Sequence, residues 1–263
     1  MDEAGTSRDA CARMVAQGDP DRWRAAMTAP PEDRDRLLAL YAFNLEVARA
    51  PWASAEAMIG QMRLQFWHDL VTGLEQGVSP VAHEVATPLA RMVLKEGVPT
   101  APMRAMIAAR QNDLAQAPFE DTDALIAYLD DTAGSLMWLA ARALGAPETA
   151  EPVARDMGAA EGLARWLEAV PTLEARGRLP LADGRPEAVA ALARRGLGWI
   201  ARARGRRGDV PARAAPALVA GWRAAGLLDQ AARAPERVAQ GGLVQSEFAR
   251  RGGLLVRGFT GRW

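Results

Sequence analysis

Residues 33–75 read DRDRLLALYAFNLEVARAPWASAEAMIGQMRLQFWHDLVTGLE. Leu37, Leu38, Tyr41, Leu45 and Ala48 share one face of a helix over 33–50, which follows Pro30-Pro31 and opens on acidic Glu32 and Asp33. Pro51 ends it, because the residue before a proline is driven out of the helical region. A second helix is predicted over 54–75, with Ser54 as N-cap and an unbroken i, i+4 apolar series of Met58, Met62, Phe66 and Leu70. Gly77 and Pro80 close it.

The same three- and four-residue spacing recurs along the chain, while β-branched and aromatic runs are scarce, so the class is all-α. Further helices are expected over 80–95, 101–117, 121–145 and 148–169, then over 186–204, 212–226 and 229–239. Residues 171–186 mix proline, glycine and charge without helical period and predict an ordered loop. Residues 1–19 and 241–263 are expected to be poorly ordered extensions of one domain spanning 1–263.

With 49% hydrophobic and 24% charged residues, disordered and fibrous classes are excluded. The single cysteine, Cys11, rules out a disulfide framework or a multi-cysteine metal site, and near a terminus it is expected to be inert. The acidic start MDEAGTSRDACARMV lacks the basic and apolar regions of a secretory signal, and no uncharged apolar run is long enough to span a bilayer. A cytoplasmic protein, or one peripheral at the inner membrane, is expected.

Zero net charge conceals an asymmetry: residues 194–263 carry 14 arginines against four carboxylates, and the first 193 residues are correspondingly acidic. Pairing of the two regions within the molecule is the expected use of this charge, ahead of nucleic acid, which is not expected as a partner. Leu197, Trp199 and Ile200, flanked by arginines, offer an alternative as a membrane-surface helix. The eight tryptophans are expected to be core anchors.

Generic catalytic signatures are missing: there is no G-x-S-x-G elbow, P-loop, dinucleotide fingerprint or metal-spaced histidine pair. His68 and His83, the only histidines, are expected to be surface or core residues. Two carboxylates at i, i+4 on a helix can ligate a hard cation, yet the one such pair, Asp183 and Glu187, spans Gly184-Arg185-Pro186 and belongs to a turn.

Four segments in order resemble the squalene and phytoene synthases, which condense two prenyl diphosphates head to head. LLALYAFNLEVARAPW (37–52) resembles the first motif region, with Ala48 and Trp52 where the family has two aspartates. MRLQFWHDLV (62–71) matches the Arg-Leu-x-x-Trp helix through Arg63, Leu64 and Trp67; YLDDTAGSLMWLAARALGA (128–146) matches through Tyr128, Ala133, Gly134 and Ser135. ARDMGAAEGLARWLEAVPTLEARGRLPL (154–181) resembles the second aspartate-rich helix and its following loop, matching at Arg176, Gly177, Arg178 and Pro180. Here Gly162, Arg165, Glu168, Ala169 and Leu173 replace the family's Gln, Asn, Arg and two Asp residues. Asn44-x-Glu46 together with Met62-Arg63-x-Gln65-Phe66-Trp67 is similar to the branch that contains a mitochondrial assembly factor for respiratory complex I.

The resemblance implies an isoprenoid-synthase-like helical bundle whose metal motifs are lost. A non-catalytic binding or assembly protein is therefore expected, with a respiratory complex subunit or assembly protein as partner, peripheral membrane contact and no cofactor. Without acidic ligands, Mg²⁺ ions and a diphosphate leaving group would have no counter-site. The candidate pocket or anion-binding residues are Tyr41, Asn44, Arg63, Trp67, Tyr128, Arg165, Arg176 and Arg178, suited to an apolar, lipid-like ligand with an anionic head; these arginines can equally pair with Glu161, Glu168 or Glu174. Trp52 is expected to fill space that active relatives give to diphosphate. The alternative is a divergent prenyltransferase that holds Mg²⁺ with Asp130, Asp131 and Glu168, although adjacent Asp130 and Asp131 point about 100° apart on a helix.

Overall fold

The computed structural model describes residues 3–54 and 56–263. Its helices are α1 (Glu3–Gly18), α2 (Pro20–Ala26), α3 (Pro31–Arg49), α4 (Ala57–Glu75), α5 (Ala86–Glu96), α6 (Ala101–Ala109), α7 (Gln111–Ala115), α8 (Thr122–Leu129), α9 (Ser135–Ala143) and α10 (Glu151–Ala175). They continue as α11 (Pro186–Gly205), α12 (Ala215–Val219), α13 (Ala224–Arg233), α14 (Glu236–Ala239) and α15 (Glu247–Thr260). The described residues contain no strand, as the helical spacing predicts.

Two helices organise the bundle. In α3, Leu37, Leu40, Tyr41, Phe43 and Val47 are buried, together with Leu38, Ala39 and Ala42, so nearly its whole circumference is covered, as expected of a central helix. The other, α10, packs against α9, α11 and α13. Gly158 makes its closest crossing possible: a Cβ there would stand 2.5 Å from the Ala133 carbonyl oxygen and 2.8 Å from Gly134 Cα. Facing it, residues Asp130–Gly134 form one π-helical turn between α8 and α9. Such turns often mark functional positions, and this one carries Thr132 and Ala133 to a cavity wall.

Residues 3–18 form α1, whose Cys11 and Val15 are buried beside α3. Toward the other end, α15 is tied down by Arg250, which is 2.8 Å from Asp21, and Trp263 is buried. The expected break at 171 does not occur: α10 runs through Pro171 to Ala175, held by the burial of Leu167 and Val170 one turn earlier. The break expected near 227 lies instead at the turn of residues 220–223.

On α4 the apolar series points outward. Met58, Met62 and Phe66 are 73%, 66% and 48% exposed, while Gly60, Leu64, Trp67, Val71 and Leu74 face the core. The geometry explains the inversion: strict i+4 steps drift by roughly 40° each, whereas alternating three- and four-residue steps hold one face. Gly60 lets α4 approach its neighbours, since a Cβ there would lie 2.6 Å from Leu114 Cδ2 and 3.1 Å from the Ala50 carbonyl oxygen.

The basic C-terminal region pairs with the acidic remainder, as expected. Arg223 meets Asp21 at 2.7 Å and Glu168 at 2.6 Å, Arg213 meets Asp33 at 3.0 Å, and Arg202 meets Asp156 at 2.6 Å. Trp199 and Ile200 are buried, so the stretch proposed for a membrane surface packs into the bundle instead. None of the helices is long and apolar enough to cross a membrane among the described residues.

Candidate functional site

A cavity of about 420 Å³ lies between the N-terminal part of α2, the C-terminal half of α3, α8 and α10, with the 176–180 loop at its mouth. Ala48 and Trp52 line it from the α3 side, and Ala169 and Leu173 from α10. The four positions at which the motif comparison expects aspartates therefore do face a common space, and none carries a ligand for a cation.

The carboxylates that do line the cavity are taken by guanidinium groups. Asp19 is the N-cap of α2, accepting from the Arg22 amide at 3.0 Å. That same oxygen, Oδ1, is reached by Arg165 at 2.8 Å, and Oδ2 is 2.9 Å from the Arg22 guanidinium. Glu161 receives Arg22 at 2.7 Å and Arg165 from one turn along α10. Burial pushes the Asp19 carboxyl up, but the charges of Arg22 and Arg165 and their hydrogen bonds outweigh it and bring the pKa to about 2.

Beside this group the Tyr41 hydroxyl is buried without a hydrogen-bond partner, and burial raises its pKa well above the ordinary range. The Arg22 guanidinium stands 5.9 Å from the Tyr41 ring.

A second cluster forms the opposite wall. The Tyr128 hydroxyl donates to Asp113 at 3.0 Å and accepts from Arg110, which also pairs with Asp113 at 3.2 Å. Burial again raises the tyrosine pKa. Phe119, Tyr128 and Trp166 pack edge-on or tilted with ring centroids 5.3–5.7 Å apart. Arg178 donates to the Asp113 carbonyl at 2.8 Å, and Trp166 donates to the Pro180 carbonyl at 2.8 Å, so the 176–180 loop is fastened to the wall at two points.

At the mouth Trp52, 39% exposed, has the guanidinium groups of Arg176 and Arg178 at 5.2 and 5.3 Å from its ring centroid. It thus borders an open volume rather than closing it.

Of the residues singled out from sequence, Asn44, Tyr128, Arg165, Arg176 and Arg178 line the cavity. Tyr41 lies behind the Arg22 cluster. Arg63 is exposed on α4, and Trp67 packs in the core against Phe43 and His83 at 5.3 and 5.7 Å; neither lines the cavity. Sequence reasoning missed Asp19, Arg22, Arg110 and Asp113. A signal existed for the first two in the Asp19-Pro20 helix start and the i, i+3 spacing to Arg22.

Mg²⁺ does not fit these residues. Hard cations take several oxygen ligands with free lone pairs, and here each cavity carboxylate is neutralised by arginine. The alternative donors are apart: Asp130 pairs with Arg155 at 3.2 Å and Glu168 with Arg223 at 2.6 Å. Among the described residues no group of three carboxylate, histidine or cysteine side chains could hold a metal.

The squalene/phytoene synthase family model matches residues 15–183. Complex I assembly factor 6 of Bos taurus is 28% identical over 177 residues, which cover 67% of this chain and 53% of that protein. Its Drosophila melanogaster homolog is 30% identical over 177 residues, covering 65% and 52%. The chain spans about half the length of these relatives. Among solved structures, a dehydrosqualene synthase in complex with ligand superposes with a TM-score of 0.80 at 16% identity, covering 97% of this chain and 96% of that one. Squalene synthase HpnC from Alicyclobacillus acidocaldarius gives 0.75 at 16% identity, covering 91% and 98%. At these identities the superpositions establish the shared isoprenoid-synthase fold, and the match over residues 15–183 establishes the lineage: the chain belongs to the squalene/phytoene synthase family.

Proposed function

We propose that this chain is a non-catalytic member of its family that acts as an assembly factor for respiratory complex I. One observation carries the reading: Ala48, Trp52, Ala169 and Leu173 occupy the cavity positions that would have to ligate Mg²⁺, while Asp19, Asp113 and Glu161 are held by arginines. Ionisation of a prenyl diphosphate needs positive charge on the leaving group, and metal ions supply it in a site built of carboxylates. This cavity offers arginines without the metal counter-site.

The similarity to assembly factors from cattle and fly supports the functional half of the reading. Under it the protein works in the cytoplasm or at the inner membrane surface, where it meets a subunit of the complex. The cavity then serves as a binding pocket, in which Arg176 faces the anionic end of an apolar ligand.

Deleting the gene in its own host and following complex I by native electrophoresis and NADH oxidation tests this. Loss of assembled complex, restored by the wild-type chain, is expected. Normal complex I together with a changed content of C30 or C40 isoprenoids would contradict it.

A further inference from the structure

A second cavity lies away from the motif positions. It is a half-open groove of about 740 Å³ with α1 and α5 as its sides and α3 beneath. Pro31, Pro80, Pro88 and Leu94, the last 38% exposed, supply its accessible apolar surface above the buried Cys11, Leu38, Ala39 and Met92. This volume falls in the range of pockets for drug-sized ligands.

The charges around the groove are unequally satisfied. Arg8 is 3.0 Å from Asp35, and Arg36 is 3.0 Å from Asp33 and 2.7 Å from Glu96. Arg91 and Lys95, both exposed, stand one turn apart on α5, about 6 Å between their Cβ atoms. Neither has a carboxylate partner among the described residues, and Glu32 is the one groove carboxylate without a cationic partner. Among the described residues the unpaired charge thus favours an anion, and it sits beside the accessible apolar lining, which favours hydrocarbon.

We propose that this groove binds a single-chain amphiphile with an anionic head, the chain lying along Pro80, Pro88 and Leu94 and the head meeting Arg91 and Lys95. Carboxylate and phosphate heads share the required chemistry. The proposal stands apart from the assembly-factor reading, since it uses neither the motif cavity nor a protein partner.

The test titrates the full chain, below the micelle concentration of each probe, with dodecanoate, dodecyl phosphate, dodecan-1-ol and dodecyltrimethylammonium. Calorimetry gives affinity, and hydrogen exchange locates the site. At least one anionic chain is expected to bind tenfold or more tightly than the alcohol or the cation, slowing exchange in α1 and α5 and leaving the Trp52 segment unchanged. The dodecanoate and dodecyl phosphate arms show which head is preferred. Arg91→Glu with Lys95→Glu, two exposed positions, is expected to weaken anion binding at least tenfold while the circular dichroism spectrum and melting temperature stay as in wild type. Equal binding of all four probes, binding of none, protection confined to the Trp52 cavity, or adsorption to phosphatidylglycerol vesicles without binding of the monomeric anions would each overturn the proposal.

Discussion

Arg22 and Glu161, 139 positions apart in sequence, form an ion pair of 2.7 Å whose side chains are 9% and 4% exposed. The pair fastens α2 to the middle of α10 at the floor of the motif cavity. It also defines what the site has become, because the carboxylate that could serve a cation serves a guanidinium.

Removing one member of such a pair leaves a buried charge short of its partner. Arg22→Met is expected to destabilise the fold by about 3 kcal/mol. Arg22→Met combined with Glu161→Leu should cost less than the sum of the two single changes, since no orphaned charge remains. Urea unfolding of the three variants measures this; simple additivity would show that the pair is not coupled.

The same cluster sets an acid limit. The folded Asp19 pKa lies near 2, below the unfolded value of about 3.9, so its stabilisation is complete above the latter and lost as pH falls toward 2. The contribution at neutral pH is about 2 kcal/mol. Stability measured from pH 5 down to pH 2 should fall less steeply in Asp19→Asn than in wild type.

On α4 the exposed and buried stripes make opposite predictions. Met58→Lys and Met62→Lys should each change stability by no more than about 0.5 kcal/mol, as surface substitutions do. Leu64→Ala, at a fully buried position, should cost roughly 2–5 kcal/mol. Thermal melts of the three variants decide whether the Met58–Met62 face is free of the core.

This helix also shows what the sequence could and could not reveal. Its extent was legible from apolar spacing, and so was the inward stripe in the alternating three- and four-residue steps from Gly60 to Leu74; the strict i+4 series of Met58, Met62, Phe66 and Leu70 drew the reading to the wrong face, and the close approach of Leu114 and Ala50 to Gly60 is a tertiary fact. Pro171 misled for a related reason: local chemistry argues for a break, and the burial of Leu167 and Val170 overrides it. In the site, the motif order placed Tyr128, Arg165, Arg176 and Arg178 on one cavity. Asp19 and Arg22 left a local signal as a helix start, but their place in the site depends on Glu161 and Arg165, and that of Arg110 and Asp113 on Tyr128 and Arg178, contacts that local sequence does not show.

Cys11 offers a check on α1. Its thiol donates to the Glu84 carbonyl at 3.4 Å, and burial, aided by the nearby charges of Glu84 and Asp35, pushes its pKa up to about 12. At pH 8 the thiolate fraction is on the order of one in ten thousand. Native protein should react with a thiol-specific disulfide reagent far more slowly than denatured protein; equal rates would mean that α1 does not pack against α3.

The motif cavity carries arginine-paired carboxylates and apolar side chains where a metal counter-site would need free carboxylates. The most direct measurement is diphosphate release from farnesyl and geranylgeranyl diphosphate by the purified chain with Mg²⁺, alongside a family member that retains both aspartate pairs. No release above the protein-free rate, with the control active, is the predicted result. Turnover to a C30 or C40 product would contradict the non-catalytic reading.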